Sequence, residues 1–229
     1  MMGAVDRSAR PLPCLLRRAA GYVAIVLATL AAVAPGRAGD PAFTLTGAGT
    51  AAIDGVLSPG EWDQAGIAGF MVTAPSGRVP GRFMVMNDRD MLYMAVEIAD
   101  DAARYALSIE FDNDNDGGNI ETGDDILLYD PRLGFRDGFR DPLFAKFDTV
   151  DGGAADGAGA YATADGMSIY EFSHPLDSAD DRHDFSLRAG DRVGFMVLIR
   201  LPDAQGRVET EFPPVSFKRP ARYGDIVIR

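Results

Sequence analysis

"RFMVMNDRDMLYMAVEI", residues 82–98, decides how the chain is read. In its second half Leu92, Met94, Val96 and Ile98 alternate with Tyr93, Ala95 and Glu97. That is the period of a strand, whose successive side chains point to opposite faces. The first half is apolar at every position from Phe83 to Met86, as expected of a central strand covered on both sides. The Asn and Asp residues between the halves are turn formers, so the stretch reads as a hairpin.

Outward from this hairpin the alternation returns. It is found at "FMVTA" (70–74), "YALSIEFD" (105–112), "DILLYD" (125–130), "LFAKFDTV" (143–150), "SIYEFSHP" (168–175), "RVGFMVLIRL" (192–201) and "GDIVIR" (224–229). Gly, Pro, Asn and Asp clusters separate these runs, "DGGAADGAG" at 151–159 among them, and read as loops. Helical patterning is confined to one turn at "SPGEWDQA" (58–65) and a second at "DDAAR" (100–104). Many short strands with few helices predict an all-β fold, a two-sheet antiparallel β-sandwich of jelly-roll type with one or two short helical turns.

Residues 1–38 are set apart. Arg7, Arg10, Arg17 and Arg18 precede an apolar run from Ala19 to Ala34, and small residues follow. This order predicts a signal peptide, with cleavage after Ala38 and a secreted or periplasmic domain over 39–229. An uncleaved anchor is the rival, but the apolar run is short for a span. The only cysteine, Cys14, lies ahead of that run, so the domain contains no disulfide and no cysteine nucleophile. Removal of 1–38, with five Arg and one Asp, takes the formal charge from −12 to −16. Such acidity excludes nucleic acid and anionic membrane as partners, both of which require Lys/Arg stripes. The pattern leaves the oligomeric state open.

The densest acidic stretch is "FDNDNDGGNIETGDD" (111–125). Asp112, Asp114 and Asp116 alternate and Gly117 follows, the way a tight loop gathers oxygen ligands around Ca²⁺. The twelfth position from Asp112 is Gly123, so the pattern is not an EF-hand. Glu121, Asp124 or Asp125 would close the loop; the rival is a solvated acidic turn. With His174 and His183 the only histidines, zinc is not expected, and His174 reads as a strand-end residue. "DSADDRHD" (177–184) matches no ligand spacing and reads as a solvated loop. "GFRDGFRD" (134–141) repeats a tetrapeptide between two strands and reads as a long loop. Phe135, Arg136, Phe139 and Arg140 on it are candidates for ligand binding, with the rings tucked beneath the loop as the alternative.

Five segments in order resemble a known group: "IDGVLSPGEWDQA" (53–65), the 82–101 hairpin, "LSIEFDNDND" (107–116), "YEFSHPL" (170–176) and "RAGDRVGFMVLI" (188–199). They resemble the family 9 carbohydrate-binding modules and their DOMON-like relatives. Asp54, Gly55, Glu61, Trp62 and Ala65 carry the first motif, and Leu92, Tyr93, Val96 and Asp100 the second. Glu171, Pro175, Leu176, Gly190 and Gly194 carry the later ones. The resemblance implies a β-sandwich, export, structural calcium near the strand-end acids and carbohydrate as the ligand class, a cell-envelope glycan included. It implies a sugar slot between two tryptophans. Trp62 is the single Trp and belongs to the E-W motif, where it is expected to plug one end of the sandwich, so Tyr or Phe would have to form any slot. Some DOMON-like relatives carry haem b for electron transfer through Met and Lys or His. By residue type alone Met84, Met86, Lys146 and His174 are the candidates. A glycoside hydrolase, which needs a defined carboxylate pair, finds none that stands out, so no enzyme is expected.

Overall fold

The alternating runs become strands in a computed structural model of the chain, which describes residues 42–118, 122–141, 144–203, 206–214 and 218–229. The leader expected over 1–38 and the ligand candidate Glu121 lie outside these residues. In chain order the strands are β1 (Thr44–Leu45), β2 (Gly66–Ala74), β3 (Gly77–Asn87), β4 (Met91–Ile98), β5 (Ala106–Asp112), β6 (Asp125–Asp130) and β7 (Gly134–Arg140). Then come β8 (Ala145–Phe147), the helical turn α1 (Asp148–Asp151), β9 (Ala158–Ala164), β10 (Met167–Pro175), β11 (Arg192–Asp203), β12 (Gly206–Phe212) and β13 (Gly224–Val227). A 3-10 turn occupies Pro220–Arg222.

One sheet runs β2-β3-β4-β10-β9. The other runs β1-β13-β11-β5-β6-β7-β8, with β12 also on β11. Neighbours are antiparallel except β1 and β13, which pair in parallel. The sheets bury their facing side chains against each other. Phe83 and Val85 of β3, with the even-numbered apolar residues of β4, join Val193, Phe195, Val197 and Ile199 of β11 in one core. Rings of Phe83 and Phe195 stack across the two sheets at 4.7 Å. Full burial of each such side chain is worth about 1.5–3 kcal/mol.

The apolar double face of β3 has a specific cause. Met84 and Met86 point away from the sandwich core and, with Ala95, bury Trp62 beneath them in a second cluster. Residues 48–65 therefore pack on the outer face of the smaller sheet. Trp62 is a core residue, as expected, but it covers a sheet face instead of plugging an end of the sandwich.

Several readings change. "GFRDGFRD" is strand β7 and not a loop. A tetrapeptide repeat keeps equivalent residues on one face of a strand, since the side-chain period is two. "LFAKFDTV" gives only the short β8 before the chain turns into α1. Strands β9 and β12 were not anticipated, while 58–65 and 100–104 form turns and bends without a helix. Among the described residues no helix is long and apolar enough to cross a membrane.

Candidate metal centre and binding surface

Strand phase builds the most unusual site. On β6, Asp125 is in phase with Leu127 and Tyr129; on β7, Asp137 lies between Phe135 and Phe139. On β10, His174 is in phase with Tyr170 and Phe172. These are core-facing phases, so two carboxylates of one sheet meet an imidazole of the other inside the sandwich. Asp184, from the segment between β10 and β11, joins them, and the four offer ligand atoms within 4.8 Å of one another. All four are buried, as is Asp148 of α1.

His174 Nε2 lies 3.6 Å from Asp184 Oδ1, 3.8 Å from Asp125 Oδ2 and 3.9 Å from Asp137 Oδ2. Both oxygens of Asp125 and of Asp148, Asp137 Oδ1, Asp184 Oδ1 and His174 Nε2 have no hydrogen-bond partner among the described residues. So many buried like charges resist ionising together. Burial pushes the Asp125 carboxyl well above the usual carboxylate range; His174 draws it back, while Asp137, Asp184 and Asp148 push it further. Burial, then Asp137 and Asp184, push Asp148 up to about 7. Burial opposes a charge on His174, but Asp125, Asp184 and Asp137 outweigh it and push it up to about 9.

The expected calcium loop splits in two. Asp112, Asp114 and Asp116 do converge after β5, with oxygens within 4.8 Å. Asp124 instead caps the loop, accepting from the Asn113 N–H at 3.1 Å, and Asp125 turns into the interior. Gly117 N donates to Asp112 Oδ2 at 3.2 Å, so the sharp turn folds back on its first carboxylate.

The ligand candidates on "GFRDGFRD" lie on strand β7 with differing exposure. Phe139 is buried, its ring 4.6 Å from that of His183. Phe135 lies against Gly157 and Gly159, where any side chain would collide with its ring. Arg140 pairs with buried Glu110, and Arg136, though exposed, donates to its neighbour's carbonyl. Rings belong to the core because β7 is a strand with an inward face. "DSADDRHD" is likewise no simple solvated loop, since His183 and Asp184 are buried. The haem candidates do not meet. Met84 and Met86 lie under Trp62 on the outer face of the smaller sheet, His174 is on its inner face, and Lys146 pairs with Asp141 at 2.5 Å on the far edge strand β8.

The motif residues of the sequence resemblance converge around Trp62. Its indole N–H donates to Glu171 Oε1 at 3.2 Å, and Glu171 Oε2 accepts from Gly55 and Asp54 N–H at 2.7 and 3.1 Å. Glu61 accepts from Ala52 and Ser58 N–H, closing the same segment. Gly55 has φ +85°, a conformation a side chain would strain.

Solved structures share this layout. A family 9 carbohydrate-binding module from Caldicellulosiruptor kristjanssonii in complex with cellotriose matches 82% of this chain and 93% of its own length, with a TM-score of 0.57 at 15% identity. The fold is that of the family 9 carbohydrate-binding modules. The same family's module from that organism in complex with glucose matches 81% of this chain and 95% of its own, with a TM-score of 0.58 at 15% identity. No protein-family model and no curated protein sequence matches the chain.

With Trp62 buried, exposed aromatic surface lies elsewhere. Phe144 is 70% and Phe147 42% exposed, at either end of β8, and Val150 of α1 is also exposed.

Proposed function

We propose that this protein is an exported carbohydrate-binding module with a calcium-held loop after β5. The observation that carries the reading is the shared fold over four-fifths of the chain with modules seen holding cellotriose and glucose. Phe144 and Phe147 supply aromatic faces on which the C–H face of a sugar ring stacks. The carboxylates with strongly raised pKa values are sealed in the interior, out of reach of a glycosidic bond, which favours binding over hydrolysis. In titrations with cellotriose and glucose, the wild type should bind at least one of them. Phe144→Ala with Phe147→Ala should weaken that binding tenfold or more, about 1.4 kcal/mol. Its melting temperature should hardly change, because both rings are exposed. Failure of both sugars to bind, or full affinity in the double variant, would count against the reading.

Ca²⁺ takes six to eight hard oxygen ligands, and Asp112, Asp114 and Asp116 place three carboxylates together for it. Calcium returned to chelated protein should raise the melting temperature, by up to about 2.7 kcal/mol of stabilisation at a hundred times its dissociation constant. Asp114→Asn with Asp116→Asn should abolish that response. A wild-type melting curve indifferent to calcium would leave the loop as a solvated acidic turn.

A further inference from the structure

We propose that Asp125, Asp137, His174 and Asp184 bind one divalent first-row transition ion, Mn²⁺ or Zn²⁺, between the two sheets, with Asp148 beside it.

The donor atoms are built to face inward. His174 Nδ1 lies 2.7 Å from the Pro175 carbonyl oxygen, an acceptor only, so Nδ1 carries a hydrogen and Nε2 is the nitrogen that would exchange its proton for an ion. Asp184 Oδ2 accepts from the Ser178 hydroxyl at 2.6 Å, which leaves Oδ1 turned toward Nε2. Asp137 Oδ2 is held by the Gly157 N–H at 2.8 Å. These are the outer partners that fix the orientation of metal ligands. The ring of Phe185 packs against His174, 4.6 Å between centroids.

Protons alone do not account for this geometry. Groups sharing protons would close to about 2.6–3.2 Å, whereas Nε2 stays 3.6–3.9 Å from three carboxylates. Separations of that size suit donors sharing an ion about 2.1 Å from each. Ionising these four buried carboxyls beside one imidazole would leave a net negative charge that burial makes costly without a cation.

The nitrogen donor chooses the class of ion. Calcium prefers hard oxygens only, while imidazole with carboxylates suits Mn²⁺, Fe²⁺ and Zn²⁺. Two histidines and no thiolate argue against zinc only if carboxylates are left out of the count. This centre is separate from the Asp112 loop and does not depend on sugar binding.

Protein from the full-length chain would be stripped with a strong chelator. It would then be dialysed against Mn²⁺ and Zn²⁺ with about a hundredfold excess of Ca²⁺ and Mg²⁺. Elemental analysis should find about one transition ion per chain, retained in Asp114→Asn with Asp116→Asn and lost in His174→Asn. Pulsed EPR of the Mn²⁺-loaded wild type should show modulation from one directly bound imidazole nitrogen, unchanged in His183→Asn. That readout serves even where His174→Asn fails to fold. Uptake of calcium alone, absence of any bound metal, or a Mn²⁺ spectrum without nitrogen coupling would overturn the proposal.

Discussion

Trp62→Ala should lower the free energy of unfolding by about 3–5 kcal/mol, the range for truncating a buried aromatic. The indole is 6% exposed and packs on Met84, Met86 and Ala95. Its removal opens a cavity on the outer face of the smaller sheet and unpairs one oxygen of Glu171. Chemical denaturation measures the effect directly. The same experiment with sugar present discriminates a second role: a Trp62 that served as a stacking platform would lose ligand binding and keep its stability. Burial on all sides predicts the opposite.

Glu171→Ala should be comparably damaging, at about 3–5 kcal/mol, for a different reason. One carboxylate accepts from the indole of Trp62 and from the backbone N–H groups of Asp54 and Gly55. Alanine leaves three donors without a partner, and each buried orphan costs about 1–3 kcal/mol. Glu171→Gln should lose far less, because the amide oxygen still accepts. Burial already opposes the charge, and raises the pKa of Glu171 despite the Gly55, Asp54 and Trp62 donors. Denaturation midpoints of the two variants test this; equal losses would point to charge, not acceptor geometry, as the essential property. The costs of Trp62→Ala and Glu171→Ala should fall short of additivity, since both break the same contact.

The sandwich was legible because most of its strands keep one polar and one apolar face. The alternation of β4 and the double apolar face of β3 each map onto an observed cluster. The D-G and E-W residues were legible as a motif, but their convergence on Glu171 spans more than a hundred residues of sequence. Strand β9 escaped notice because Ala and Gly lack strand propensity. They stand there because Gly159 leaves room for the ring of Phe135. The buried acidic cluster was not legible as a site, since its five residues come from five separate segments with no local spacing. A signal did exist. Asp125, Asp137 and His174 each occupy a phase otherwise taken by core residues, and a polar side chain on the inward phase of a strand has to be accounted for. The acidic run at 111–125 drew the eye to Asp125 with the wrong neighbours, because chain proximity is a poor guide once a strand begins between Asp124 and Asp125.

The parallel pairing of β1 with β13 sets the timing of assembly. Leu45 takes its place opposite Ile226, across 181 positions of chain. β11 likewise waits for partners on both edges: β5 long before it, β12 and β13 after it. Closing such distant pairs is slow, in the millisecond-to-second range common for β-sandwiches. A chain of this topology cannot finish its larger sheet while its last strands are still being synthesised. Its larger sheet is complete only once β13 lies between β1 and β11.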